Sequence, residues 1–139
     1  MIAIDTNILI YSLDVSEPVK QAKAQHLLRQ LVASAKPTVL LWQVLGELVQ
    51  RLRRWKDQGQ LTETEFENHV RQFRGMFPLI LPTATVLDHA LDFSKRFSLS
   101  HWDSMILGAC REANVTTLYT EDMGAPRVID SIQLANPLI

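Results

Sequence analysis

The stretch Ile2-Ala3-Ile4-Asp5-Thr6-Asn7-Ile8-Leu9-Ile10-Tyr11 decides how the rest of the chain is read. A short apolar run that halts at Asp-Thr-Asn and resumes as a second apolar run predicts a buried parallel strand ending at a helix N-terminus. Open α/β sheets keep their ligand crevice at such strand ends, so Asp5 stands where a functional carboxylate is wanted. Asp is equally a favoured helix N-cap, and Asp5 alone satisfies that simpler reading as well. Three further acids, Glu47, Asp103 and Asp122, bear on the choice.

The chain has 139 residues, 47% hydrophobic and 21% charged, which predicts one globular domain over residues 1–139 with a full core. Its start carries no basic leader, and no apolar run approaches the roughly 20 residues of a bilayer span. The expectation is a complete cytoplasmic protein with no membrane partner. The single Cys110 falls among Trp102, Met105, Ile106, Ala109 and Ala113 at helical spacing and is expected to be a core thiol. A net charge of -1 lacks the basic bias of most nucleic-acid binders, so any polyanion would need a local basic patch.

Beyond Asp5, a short helix is expected to about Leu13, then one opening at Pro18 with Ala24, Leu27, Leu28, Leu31, Val32 and Ala35 inward. Thr38–Leu41 is a buried strand, and Gln43 to Gln58 a helix with Val44, Leu45, Leu48, Leu52 and Trp55 buried. Glu47 borders that stripe, where an exposed pair with Arg51 at i+4 is the simple reading. Thr62 and Glu65 form a capping box for a helix carrying Phe66, Val70, Phe73 and Phe77. Pro78 and Pro82 bracket a strand at Leu79–Leu81. The following helix is expected to bury Val86, Leu87, Ala90, Leu91, Ser94 and Phe97 and to expose an Asp92–Arg96 pair. His26 and His89 have no partner at metal-ligand spacing. Ser100 and Asp103 again have capping-box spacing, yet Asp103 also sits above the apolar Ile106, Leu107 and Cys110. Thr116–Thr120 is a strand running into Glu121-Asp122, Arg127–Asp130 a short edge strand, and the tail through Pro137 irregular.

Strands separated by helices predict an α/β fold: three α/β/α layers around a mostly parallel sheet of four to five short strands. On that plan Asp5 and Asp122 leave strand ends on one edge, and neighbouring helices add Glu47 and Asp103. Carboxylates so crowded repel unless a cation lies between them. An all-oxygen set with no Cys or His favours Mg²⁺, or Mn²⁺ in its place, and thereby attack of water on a phosphodiester. Strand alternation places Thr120 and Asp122 on one side and favours Asp122 over Glu121.

Four segments, Asp5-Thr6-Asn7-Ile8, Val44-Leu45-Gly46-Glu47-Leu48, His101-Trp102-Asp103-Ser104-Met105-Ile106 and Leu118-Tyr119-Thr120-Glu121-Asp122-Met123, resemble the four motifs of PIN-domain ribonucleases. The small single-domain form is similar to the VapC toxins of type II toxin-antitoxin pairs. The resemblance implies a Mg²⁺-dependent endoribonuclease, homodimeric, acting on RNA and silenced by a cognate antitoxin. It implies that Asp5, Glu47, Asp103 and Asp122 are the catalytic, metal-binding acids and Thr6, Asn7 and Thr120 their polar support. Arg51 and Arg54, at i+4 and i+7 from Glu47, are the first candidates for substrate phosphate, with Arg96, His101 and Arg127 behind them. A processing nuclease that is not a toxin, or a non-catalytic PIN-like partner-binding module, remain alternatives. A receiver-like signalling domain fits poorly, because Pro82 follows Leu81 where a phosphoacceptor Asp should stand and no Lys occurs after Lys95.

Overall fold

The computed structural model describes residues 1–139 as a three-layer α/β/α domain. In chain order the elements are β1 (Ile2–Ile4), α1 (Thr6–Tyr11), α2 (Pro18–Ala33), β2 (Thr38–Leu41), α3 (Trp42–Asp57), α4 (Glu63–Met76), β3 (Leu79–Ile80), α5 (Thr85–Phe97), α6 (His101–Glu112), β4 (Thr117–Tyr119), β5 (Arg127–Ile129) and β6 (Ile132–Ala135). No helix is long and apolar enough to cross a membrane.

The sheet order is β3-β2-β1-β4-β6-β5, parallel except for the β5–β6 pair. From β1 the chain builds outward to β2 and β3, then returns to lay β4 on the other side of β1. The gap beyond the carboxyl ends of β1 and β4 is therefore a topological switch point, where α/β sheets bind ligands. Ile2, Ala3 and Ile4 are all buried, as a strand covered on both faces requires.

Local signals act as their chemistry dictates. Pro18 occupies the first turn of α2, where its missing N–H costs no hydrogen bond. Thr62 and Glu65 bond reciprocally at the start of α4. Gly59, at φ +78°, closes the turn after α3. Cys110 is fully buried, and desolvation pushes its thiol pKa far up, so it is an unreactive core group.

Four expectations need correction. The tail is not irregular: Ile132-Gln133-Leu134-Ala135 is β6, bonded to β4 along its length, and the sheet has six strands. A two-residue turn at Asp130-Ser131, with Asp130 at φ 56°, brings it back from β5. In α5 the inward stripe is Val86, Ala90, Phe93 and Phe97, whereas Leu87, Leu91 and Ser94 are exposed. In α2, Val32 is exposed, and Ala35 lies beyond the helix. Trp102 begins α6 on the surface rather than in its core-facing stripe.

Helices α5 and α6 pack at closest approach over Gly108. A Cβ there would lie 2.7 Å from the Val86 carbonyl oxygen and 3.1 Å from the Ala90 nitrogen, both backbone atoms that cannot step aside. Gly108→Ala therefore should destabilise the protein by about 1–3 kcal/mol, overriding the helix-propensity gain of about 1 kcal/mol that alanine brings elsewhere. Urea unfolding of the two proteins measures the sign.

Candidate active site

Asp5 follows β1 directly and caps α1, its Oδ1 accepting from the Thr6 N–H at 2.7 Å. The other oxygen, Oδ2, accepts from the Thr120 hydroxyl at 2.8 Å. Only 5% of Asp5 is exposed, because β1 lies inside the sheet between β2 and β4. Capping and site roles thus coincide in one side chain. Desolvation is the main cause that lifts its pKa from the ordinary 3.8 to about 6; the Thr120 and Thr6 bonds oppose it, and the charges of Asp122 and Glu47 add to it.

Glu47 reaches the same place from α3. Its Oε2 accepts from the Thr6 hydroxyl at 2.9 Å and its Oε1 from the Gln43 amide at 2.9 Å. The expected surface pair with Arg51 does not form; Arg51 instead approaches Asn7 Oδ1 at 3.5 Å. Asp122 arrives from the loop after β4, where its N–H donates to the Thr120 hydroxyl and its Oδ2 accepts from the Asn7 amide at 3.0 Å. Burial raises the Asp122 pKa first, followed by the charges of Glu121, Asp103 and Glu47, with the Asn7 bond pulling the other way. Glu121 turns away, accepting from the Tyr11 hydroxyl at 2.8 Å and standing 3.6 Å from the Lys20 ammonium.

At the start of α6, Ser100 accepts from the Asp103 N–H at 3.3 Å. The reverse bond of a capping box is missing, and the Asp103 carboxylate has no hydrogen-bond partner. The helix is capped without it, leaving that carboxylate available.

All four acids line one crevice of about 570 Å³, together with Thr6, Asn7, Gln43, Gly46, Gln50, Arg51, Trp102 and Ile106. Arg51 is the one cationic side chain on its wall. Arg54 is exposed and lies outside it. Arg96 is engaged with Asp92, Arg127 with the Met123 carbonyl, and exposed His101 stacks edge-on against Trp102. Sequence reasoning missed Gln43 and Gln50, although i-4 and i+3 from Glu47 on one helix face is the signal that finds them.

The donor set fits a hard cation: oxygen ligands only, two carboxylates held above their usual pKa by burial and by neighbouring acids, and no enclosing basic group beyond Arg51. No three of the acidic, His or Cys side chains stand close enough together to hold a metal ion between them.

A family model of the PIN domain matches residues 2–130. The chain belongs to the PIN-domain family. Among solved structures, this PIN domain is similar to a toxin-antitoxin complex from Klebsiella pneumoniae, with TM-score 0.70 and 18% identity over 99% of this chain and 98% of that one. It is similar to VapBC2 from Rickettsia felis bound to a promoter DNA fragment, with TM-score 0.70 and 17% identity over 98% of each chain. A third likeness is to the sarcin-ricin loop cleaving toxin VapC20 of Mycobacterium tuberculosis, with TM-score 0.68 and 14% identity over 96% and 99%. At such identities the likenesses establish the fold. Comparison with curated protein sequences gives no significant match.

Asp5 sets a pH dependence for this PIN domain. An unfolded chain releases the proton near 3.8 while the folded protein keeps it to about 6, so the folded state binds more protons across that window and stability falls as pH rises through it. Above it the ionised carboxylate costs about 3 kcal/mol. In EDTA, Asp5→Asn should therefore stabilise the protein at pH 7, by up to about 2 kcal/mol, and give no gain near pH 4. Added Mg²⁺ should raise the melting temperature of the wild type at pH 7 and leave the variant unmoved.

Proposed function

We propose that this PIN domain, working as one unit over residues 1–139, is a metal-dependent endoribonuclease and the toxin of a toxin-antitoxin pair. The observation that carries the reading is the gathering of four carboxylates from four separate segments around one crevice, with Asp5 buried at its base. Mg²⁺, or Mn²⁺ in its place, would be held by Asp5, Glu47, Asp103 and Asp122. When bound it supplies a water of lowered pKa and polarises the phosphate oxygens.

The chain's own residues do the rest. Thr120 and the Thr6 N–H hold both oxygens of Asp5, while Gln43 and the Thr6 hydroxyl hold those of Glu47. Asn7 aims Asp122. Asp103, whose carboxylate makes no hydrogen bond within the chain, is the one acid of the four left untethered at the crevice. Arg51 offers the phosphate a positive charge at the crevice wall. A cognate antitoxin protein is part of the same reading, supported by the toxin-antitoxin complexes among the structural likenesses, and a cytoplasmic location and a homodimer complete it.

One observation favours the non-catalytic partner-binding module, namely that no closed cage of acids is preformed. A single assay separates the two. Purified protein should cleave RNA with Mg²⁺ and not with EDTA, and Asp103→Asn should lose about a hundred-fold or more in rate, the scale of a lost catalytic side chain. RNA left intact in Mg²⁺ would favour the module. Growth arrest on expressing the chain alone, relieved by a small neighbouring gene product, would distinguish a toxin from a processing nuclease. Arg51→Ala should weaken RNA binding and flatten the slope of log affinity against log salt by about one; an unchanged slope would remove Arg51 from the phosphate contacts.

A further inference from the structure

Beside the acidic crevice lies a second cavity of about 270 Å³, and Gln43, Gly46 and Trp102 line both. Its remaining wall is mainly apolar, with Trp42 and Met105 prominent and the Glu112 carboxylate its charged member. Both indoles are largely open to solvent, Trp42 at 53% and Trp102 at 62%. Such large apolar surfaces, side by side, mark a place where something binds.

Two further observations say what kind of group it is. Gly46 sits inside α3, where glycine is the least favourable residue after proline, yet nothing lies within 4 Å of the Cβ it lacks. Packing does not require it; it lines both cavities, and a side chain there would project into the open space beside them. On the same wall, the Gln43 amide nitrogen faces two acceptors, Glu47 Oε1 at 2.9 Å and the Trp102 carbonyl at 3.2 Å. That fixes the orientation of the carboxamide and leaves Oε1 without a protein donor, turned toward the open cavity.

We propose that this cavity is a nucleobase subsite, in which a base next to the scissile phosphate of RNA stacks on Trp102 and Trp42 while Gln43 Oε1 accepts from an N–H on its edge. The inference rests on the nuclease reading: the acidic crevice holds the phosphate, and the adjoining cavity is the surface that the neighbouring base meets. A flat ring edged with N–H groups answers both the indole faces and the unpaired oxygen. An aliphatic side chain from a protein partner would cover the indoles but carries no donor of its own for Gln43 Oε1.

The test compares wild type, Trp102→Ala and Gly46→Val on a single-stranded RNA oligonucleotide in Mg²⁺, and on the same oligonucleotide carrying one abasic ribose at successive positions. With intact RNA, kcat/KM should fall about ten-fold or more in each variant, the scale of a lost base stack. An abasic ribose next to the cleaved bond should cost the wild type a similar factor and cost the variants little more. Melting temperatures should not fall, since Trp102 is exposed and valine is a better helix former than glycine. Wild-type cleavage with both variants unchanged overturns the subsite and leaves the nuclease reading standing. Unchanged cleavage together with lost capture of a partner protein assigns the cavity to protein and overturns it too. No Mg²⁺-dependent cleavage by the wild type ends the nuclease reading and the subsite with it.

Discussion

Burial of one carboxylate at the end of the central strand is the constraint on which this structure depends. β1 has hydrogen-bonded neighbours on both sides, so a residue leaving its carboxyl end is enclosed before any helix is added. Asp5 takes that position, and desolvation of its charge is the largest single cause of its raised pKa. The Thr120 hydroxyl and Thr6 N–H reduce the penalty without removing it. Further negative charge, brought by Asp122 and Glu47, makes it worse. A fold does not collect like charges at its most desolvated rim for stability's sake, and the strain is the physical reason to look for a cation there.

The polar residues around the crevice keep the acids from relaxing into ordinary structural roles. The contrast between the two cap sequences shows this within one molecule. Thr62 and Glu65 complete both bonds of the capping box, so Glu65 is used by its helix. Ser100 and Asp103 have the same spacing and complete one, so the Asp103 carboxylate is left facing the crevice. Glu47 is likewise withheld from an i+4 pair with Arg51 by Gln43 and Thr6. Lys20 and Tyr11 draw Glu121 to the far side of the chain, which leaves Asp122 alone to face Asn7.

Much of this was legible because strand ends and helix caps are written in consecutive residues. The β2 boundaries and the α4 capping box follow from period and local chemistry, whereas Asp122 lies in the loop past the end of β4, where hydrogen bonds to Thr120 and Asn7 rather than strand alternation set its side. β6 was harder, since Ile132-Gln133-Leu134-Ala135 is a short alternating run beside Asn136 and Pro137. Its signal was the period-two pattern after a tight Asp-Ser turn. The errors in α5 and at Trp102 share one physical cause. Hydrophobicity marks apolar residues and cannot tell a core face from an exposed one. Leu87, Leu91 and Trp102 therefore drew the expected stripe toward solvent, while Phe93 faces inward. Which basic side chain enters the crevice was equally beyond sequence: Arg51 and Arg54 differ by less than one helical turn, and the packing of α3 against α1, α4 and β2 decides between them.

The four acids share a crevice without closing into a cage, and that arrangement bears on what the site is suited to hold. Zinc sites in proteins are closed by three or four direct protein ligands at short distance. Mg²⁺ gives up its waters reluctantly and is bound through one or two carboxylates, with the remaining positions left to water and substrate phosphate. On the nuclease reading, a rim on which Asp5 is fixed by two hydrogen bonds, Glu47 and Asp122 are braced from outside, and Asp103 is untethered would bind an ion in this second way. A tight cage of four carboxylates would saturate the ion and leave no face for a phosphodiester. An open one keeps the coordination positions that hydrolysis needs, at the cost of weak affinity until the substrate's own oxygens complete the shell.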